Sequence, residues 1–132
     1  MSSFWEIKVL LVETNPATIR MVEKIMELSP VFYFLRRIDS LHDLNFELKY
    51  NKPDLIISGR TMKDFNAGNV MELVKIYSDI IPVMVLAPDY EANSNIQLVE
   101  QGAYDIIYHS EIRRLPNEVA FFCEHKNRLN IA

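Results

Sequence analysis

The sequence predicts a doubly wound α/β domain, one parallel five-stranded sheet with helices on both faces. Short β-rich apolar runs alternate with longer stretches whose apolar residues recur at helical spacing, and the alternation repeats along the whole chain. Parallel strands need crossovers, which helices supply with a right-handed sense. The runs are apolar at nearly every position, as strands covered on both faces are.

Each element follows from its residues. Ile7-Lys8-Val9-Leu10-Leu11-Val12 is the first strand, ending at Glu13. Asn15 is a helix cap and Pro16 suits the first helical position. Ile19, Val22, Ile25 and Met26 then share one helical face, up to the break at Ser29-Pro30. Val31-Phe32-Tyr33-Phe34-Leu35 reads as the second strand. Ser40 caps a helix with Leu41, Leu44 and Leu48 on its inner stripe. Leu55-Ile56-Ile57-Ser58 is a buried strand, and the loop from Gly59 to Gly68 leads to a helix faced by Val70, Leu73, Val74 and Tyr77. Pro82 to Ala87 is the fourth strand. Ala92 to Gln101 is the fourth helix, ended by Gly102. Asp105-Ile106-Ile107-Tyr108 and a helix from Pro116 to about Leu129 complete the pattern.

Composition narrows the function classes. The 132 residues are 49% apolar and 24% charged, which suits one domain over residues 1–132. A chain of this length buries roughly 65–70% of its unfolded surface without staples. Three Gly and six Pro exclude collagen-like and low-complexity chains. A net charge of −4 is a poor footprint for a nucleic-acid or anionic-membrane binder. The lone cysteine, Cys123, forms no internal disulfide, so a reduced cytoplasmic setting is expected. No apolar run approaches the ~20 residues that span a bilayer, and Met1 to Glu6 lack a signal-peptide pattern.

Ligands on doubly wound sheets sit at the carboxyl ends of the strands. Here those ends are Glu13-Thr14, Ser58-Gly59, Ala87-Pro88 and Tyr108-His109. Four motifs lie around them in order: Val9-Leu10-Leu11-Val12-Glu13-Thr14-Asn15-Pro16, Lys52-Pro53-Asp54-Leu55-Ile56-Ile57, Pro82-Val83-Met84-Val85-Leu86 and Gly102-Ala103-Tyr104-Asp105. Through them the chain resembles, from about Ile7 to Asn127, the receiver domain of response regulators, the phosphoacceptor module of bacterial two-component phosphorelay signalling. The resemblance implies a CheY-like, flavodoxin-like sheet with strand order 2-1-3-4-5. It also implies a pocket of five groups: two acidic residues, an acceptor Asp, a hydroxyl and a lysine around magnesium and a phosphoryl group. The positions that match are Glu13 and Thr14 for the acidic pair, Gly59 for the acceptor, Ala87 for the hydroxyl and His109 for the lysine, with Ser110 where the family usually has Pro. The family's switch aromatic falls on Ile106. One carboxylate of the acidic pair, Glu13, remains, and every other of these positions departs from the pattern. One glutamate makes a poor magnesium site, and a glycine accepts no phosphoryl group. The resemblance thus implies a pseudo-receiver, not an enzyme, without cofactor or metal.

Other residues carry less. Ser58 neighbours the acceptor position, but strand side chains alternate, so it points to the opposite face and reads as a packed serine. Asp64 reads as a solvated loop carboxylate. His109 suggests a proton or metal sensor beside Glu13, against a plain strand-end residue filling the lysine's space. His42 and His125 share no ligand spacing with it, and a Ser58/His109/Glu13 hydrolase fails on the facing of Ser58. Arg36-Arg37 and Arg113-Arg114 read as solvated pairs, and Cys123 as a buried thiol.

The expected function is phosphorylation-independent docking of a protein partner or of a second copy, without nucleic acid or membrane. Receivers signal through helix four, strand five and helix five. On that face the chain carries Tyr104, Ile106, Tyr108, Arg113 and Arg114, with Glu118 and His125 on the last helix. Aromatics and Arg are enriched in binding hot spots. Two alternatives stand beside it. The domain is the N-terminal regulator of a longer protein, Lys126 to Ala132 leading to an output enzyme or DNA-binding domain, or the emptied crevice senses a small molecule.

Overall fold

The computed structural model describes residues 6–131, with side chains as far as Glu124. The leader reading at Met1 to Glu6 therefore falls, but for Glu6, outside the described residues, as do the side chains of His125 and of Lys126 to Ala132. In chain order the elements are β1 (Ile7–Val12), α1 (Pro16–Met26), β2 (Tyr33–Ile38), α2 (Leu41–Tyr50), β3 (Leu55–Gly59), α3 (Ala67–Tyr77), β4 (Val83–Ala87), α4 (Ala92–Glu100) and β5 (Asp105–Tyr108). A 3-10 segment (His109–Arg114) and α5 (Leu115–Ile131) follow. The sheet is parallel, in the order β2-β1-β3-β4-β5.

Local chemistry sets the helix starts. The Asn15 side chain accepts hydrogen bonds from the N–H groups of Ala17 (2.9 Å) and Thr18 (3.3 Å). Ser40 accepts from Asp43 N at 3.1 Å. Asn66 and Asn69 form a reciprocal capping box on α3. At the end of α4 Gly102 takes φ +97°, a conformation that suits glycine, and the chain reverses there into β5.

Strand alternation divides the core into two layers. Leu10, Ile56 and Val85 point to the side of α2, α3 and α4, where Leu44, Leu48, Val70, Val74 and Leu98 meet them. Leu11, Ile57, Leu86 and Ile107 point to the side of α1 and α5, against Val22, Met26, Leu115 and Val119. β3 is buried throughout, as its unbroken apolar run predicts.

The second strand differs from the sequence expectation of Val31–Leu35. It pairs with β1 from Ile7↔Tyr33 to Val12↔Ile38, so it starts two residues and ends three residues later than expected. Two features move it. Ser29 Oγ bonds both the N–H and the C=O of Val31 and holds that residue in the turn. An edge strand also tolerates Arg36 and Arg37, because one flank faces water. Nor are the arginine pairs simply solvated. Arg36 Nε meets the buried Glu47 carboxylate at 2.9 Å, and Arg37 reaches Glu23 at 3.6 Å. Arg114 lies within ion-pair distance of Asp105 (3.0 Å), Glu111 (3.3 Å) and Glu118 (3.5 Å). Burial works against its charge, but the three carboxylates outweigh that and hold its pKa above the ordinary value.

Candidate functional site

The register gathers the predicted site residues at one edge of the sheet. Val12 lies beside Ser58, Gly59 beside Leu86, and Ala87 beside Tyr108, so Glu13, Gly59, Ala87 and His109 end four adjacent strands. Of these, Glu13 packs directly over Gly59. Glu13 is buried, and its Oε1 accepts from the N–H groups of Thr14 (2.9 Å) and Asn15 (3.2 Å). The bend that feeds the α1 cap thus turns the carboxylate inward, over Gly59.

Gly59 leaves the room this needs. A Cβ there would stand 3.0 Å from Glu13 Cδ and 2.9 Å from Met62 Sδ, and closer still to Glu13 Oε2. Real Cβ atoms essentially never come so close. Met62 is buried on the other side, its N–H donating to Phe65 O at 2.8 Å. Thr14 Oγ1 accepts from Lys63 N at 3.0 Å, which joins the β1–α1 and β3–α3 loops. Its hydroxyl is thus committed to backbone.

The remaining positions are apolar or turned elsewhere. Ala87 is fully buried. Ser58 is fully buried too, and its hydroxyl donates to Gly59 O at 2.8 Å. His109 is half-buried at the start of the 3-10 segment, and no ion pair joins it to Glu13. Asp64 is exposed in its loop. Among the described residues no three His, Cys, Asp or Glu side chains group as metal ligands do.

A clasp that sequence reading missed roofs this edge. Arg60, next to Gly59, donates from Nη1 to Asp89 O and from Nη2 to Asp89 Oδ1, both at 2.9 Å. The Arg60 side chain is only 14% exposed. It ties the β3–α3 loop to the β4–α4 loop, which no spacing in the sequence could signal. Beyond it, Tyr108 lies edge-on to Tyr90, and its hydroxyl accepts from Asn95 Nδ2 of α4 at 2.6 Å.

The other face residues divide by environment. Tyr104 is exposed and stacks edge-on against Phe122 of α5, with ring centroids 6.0 Å apart. Arg113 is exposed, Ile106 is half-buried against the core layer that includes Leu98 of α4, and Arg114 is held by its carboxylates.

No protein-family model and no curated protein matches the chain. Solved structures do. The signal receiver domain of a Luxo repressor protein from Vibrio parahaemolyticus superposes with a TM-score of 0.81 at 19% identity, over 96% of this chain and 97% of that one. The chain has the receiver fold. A phosphorylated cyanobacterial phytochrome response regulator gives a TM-score of 0.75 at 19% identity, over 89% and 94% of the two chains. An orphan response regulator of H. pylori gives 0.68 at 23% identity, over 88% and 95%. Within this fold the side chains of Glu13 and Met62 crowd the end of β3 at Gly59. No described helix is long and apolar enough to cross a membrane.

Proposed function

We propose that this protein is a pseudo-receiver of a two-component signalling system, working by docking to a protein partner without being phosphorylated. One observation carries the reading. The acceptor position is Gly59, and the volume that an acceptor side chain would need holds Glu13 and Met62. A phosphoryl group finds neither a nucleophilic carboxylate nor space. The donor set does not fit magnesium either, since Glu13 is the one carboxylate and its Oε1 already accepts two backbone N–H groups. The same infilling weighs against a small-molecule sensor at that crevice. Docking falls to the exposed surface of α4, β5 and α5, where Tyr104 and Arg113 are free of the ion-pair cluster and Ile96, Val99 and Phe121 are exposed.

The test is chemical. With magnesium and either acetyl phosphate or beryllofluoride, intact-mass spectrometry and amide NMR are expected to show no adduct and no shift at the strand ends. A magnesium-dependent adduct would overturn the reading.

A further inference from the structure

The geometry points to the outer edge of β2 as a self-complementary surface that pairs, antiparallel, with β2 of a second copy. Phe32 O accepts from Ile7 N at 3.4 Å and Ile38 O accepts from Glu13 N at 3.1 Å. The even-numbered residues of β2 therefore turn their backbone groups toward β1. The N–H and C=O groups of Tyr33, Leu35 and Arg37 point out of the sheet. Among the described residues no strand pairs with that edge. The flanking helices pack on other helices, α2 on α3 and α1 on α5, and reach β2 through Glu47 and Glu23.

The side chains then choose the occupant. β2 is aromatic in its first half, Tyr33-Phe34, and cationic in its second, Arg36-Arg37. A two-fold axis through Leu35 pairs Leu35 with Leu35 and Tyr33 with Arg37 as hydrogen-bonded pairs, which are the residues whose backbone faces outward. It places Phe34 opposite Arg36 in the closer, non-hydrogen-bonded pairs on the α2 side. Each guanidinium meets an aromatic ring, and no arginine faces an arginine. The alternative centred on Arg36 sets like charges directly opposite. The rings and cations are available for this: Phe34 is 54% exposed, and the Arg36 and Arg37 side chains are 57% and 62% exposed. Their ion pairs with Glu47 and Glu23 anchor the guanidinium groups beside the strand. The product is a continuous sheet through both copies, at the edge opposite β5.

Analytical ultracentrifugation of the full chain tests this at concentrations up to on the order of 100 µM. The wild type is expected to reach twice 15.4 kDa. Phe34→Lys sets lysine opposite Arg36 of the second copy and is expected to weaken dimerisation at least tenfold. Phe34→Glu sets a carboxylate there and is expected to keep the dimer. Position 34 is on the surface, so both variants fold, which circular dichroism verifies. A wild type that stays monomeric, a dimer that survives Phe34→Lys, or a dimer lost in Phe34→Glu would each overturn the proposal.

Discussion

At the scale of single residues, Glu13 and Gly59 act as one unit. The carboxylate folds inward because two backbone N–H groups receive it, and it stays there because position 59 has no side chain. Restoring an acceptor with Gly59→Asp forces Glu13 and Met62 aside and buries a second carboxylate beside the first. A loss of about 2–3 kcal/mol is expected from urea unfolding. Glu13→Ala in the same chain should recover much of that loss, because it clears the clash, and a double-mutant cycle would show strong coupling. Independent effects of the two substitutions would refute the pairing. The glycine at the end of β3 is read directly from the sequence, and the family resemblance is what marks position 59 as the acceptor position. The infilling is not legible there. Met62 lies beyond the strand in an irregular loop, and nothing in its neighbours announces that it turns back over Gly59.

At the scale of elements, α4 is the most loosely packed of the helices α1 to α4. It buries Leu98 alone, its N-cap residue Glu91 makes no side-chain cap, and its first turn has no acidic residue. What positions it lies at its start: the Arg60–Asp89 clasp just before the helix and the Asn95–Tyr108 hydrogen bond within it. Few buried contacts mean low local stability. Amide exchange is expected to be faster in α4 than in α1 or α3. Arg60→Ala should quicken it further across residues 88–95 while β3 stays protected. Unchanged exchange in that variant would show the clasp to be ornamental, as many exposed ion pairs are. Element identities came readily from the sequence because apolar period and caps agree, as at Asn15 and Ser40. The misplaced start of β2 arose because Val31 and Phe32 look like strand, while a serine turn and the β1 register decide otherwise. Glu47 escaped notice for a related reason. A charged residue on the inner side of α2 makes sense only once Arg36, on a different element, is seen to meet it.

At the scale of the whole molecule, the sheet order places β2 and β5 at opposite edges, so the two exposed surfaces are separate. If docking uses the α4, β5 and α5 surface, Tyr104→Ala combined with Arg113→Glu should weaken capture of the partner at least tenfold, about 1.4 kcal/mol or more. It should leave the melting temperature nearly unchanged, because Arg113 is exposed and Tyr104 touches Phe122 only edge-on. Arg114 would be a poor choice for such a test. Its removal strands Asp105, Glu111 and Glu118 together and confuses folding with binding. Equal capture by the double variant would move the docking site elsewhere. The overall architecture was readable because doubly wound sheets leave few topologies open. The surface was not, since exposure depends on how the helices are set against one another.

The crowding at Gly59 also constrains how this chain can change. A mutation that returns an aspartate to position 59 meets Glu13, and one that shortens Glu13 first opens a buried void beneath the loops. Each step alone is expected to lower stability, so on the proposed reading a return to an acceptor at position 59 calls for coordinated changes at Glu13 and Met62.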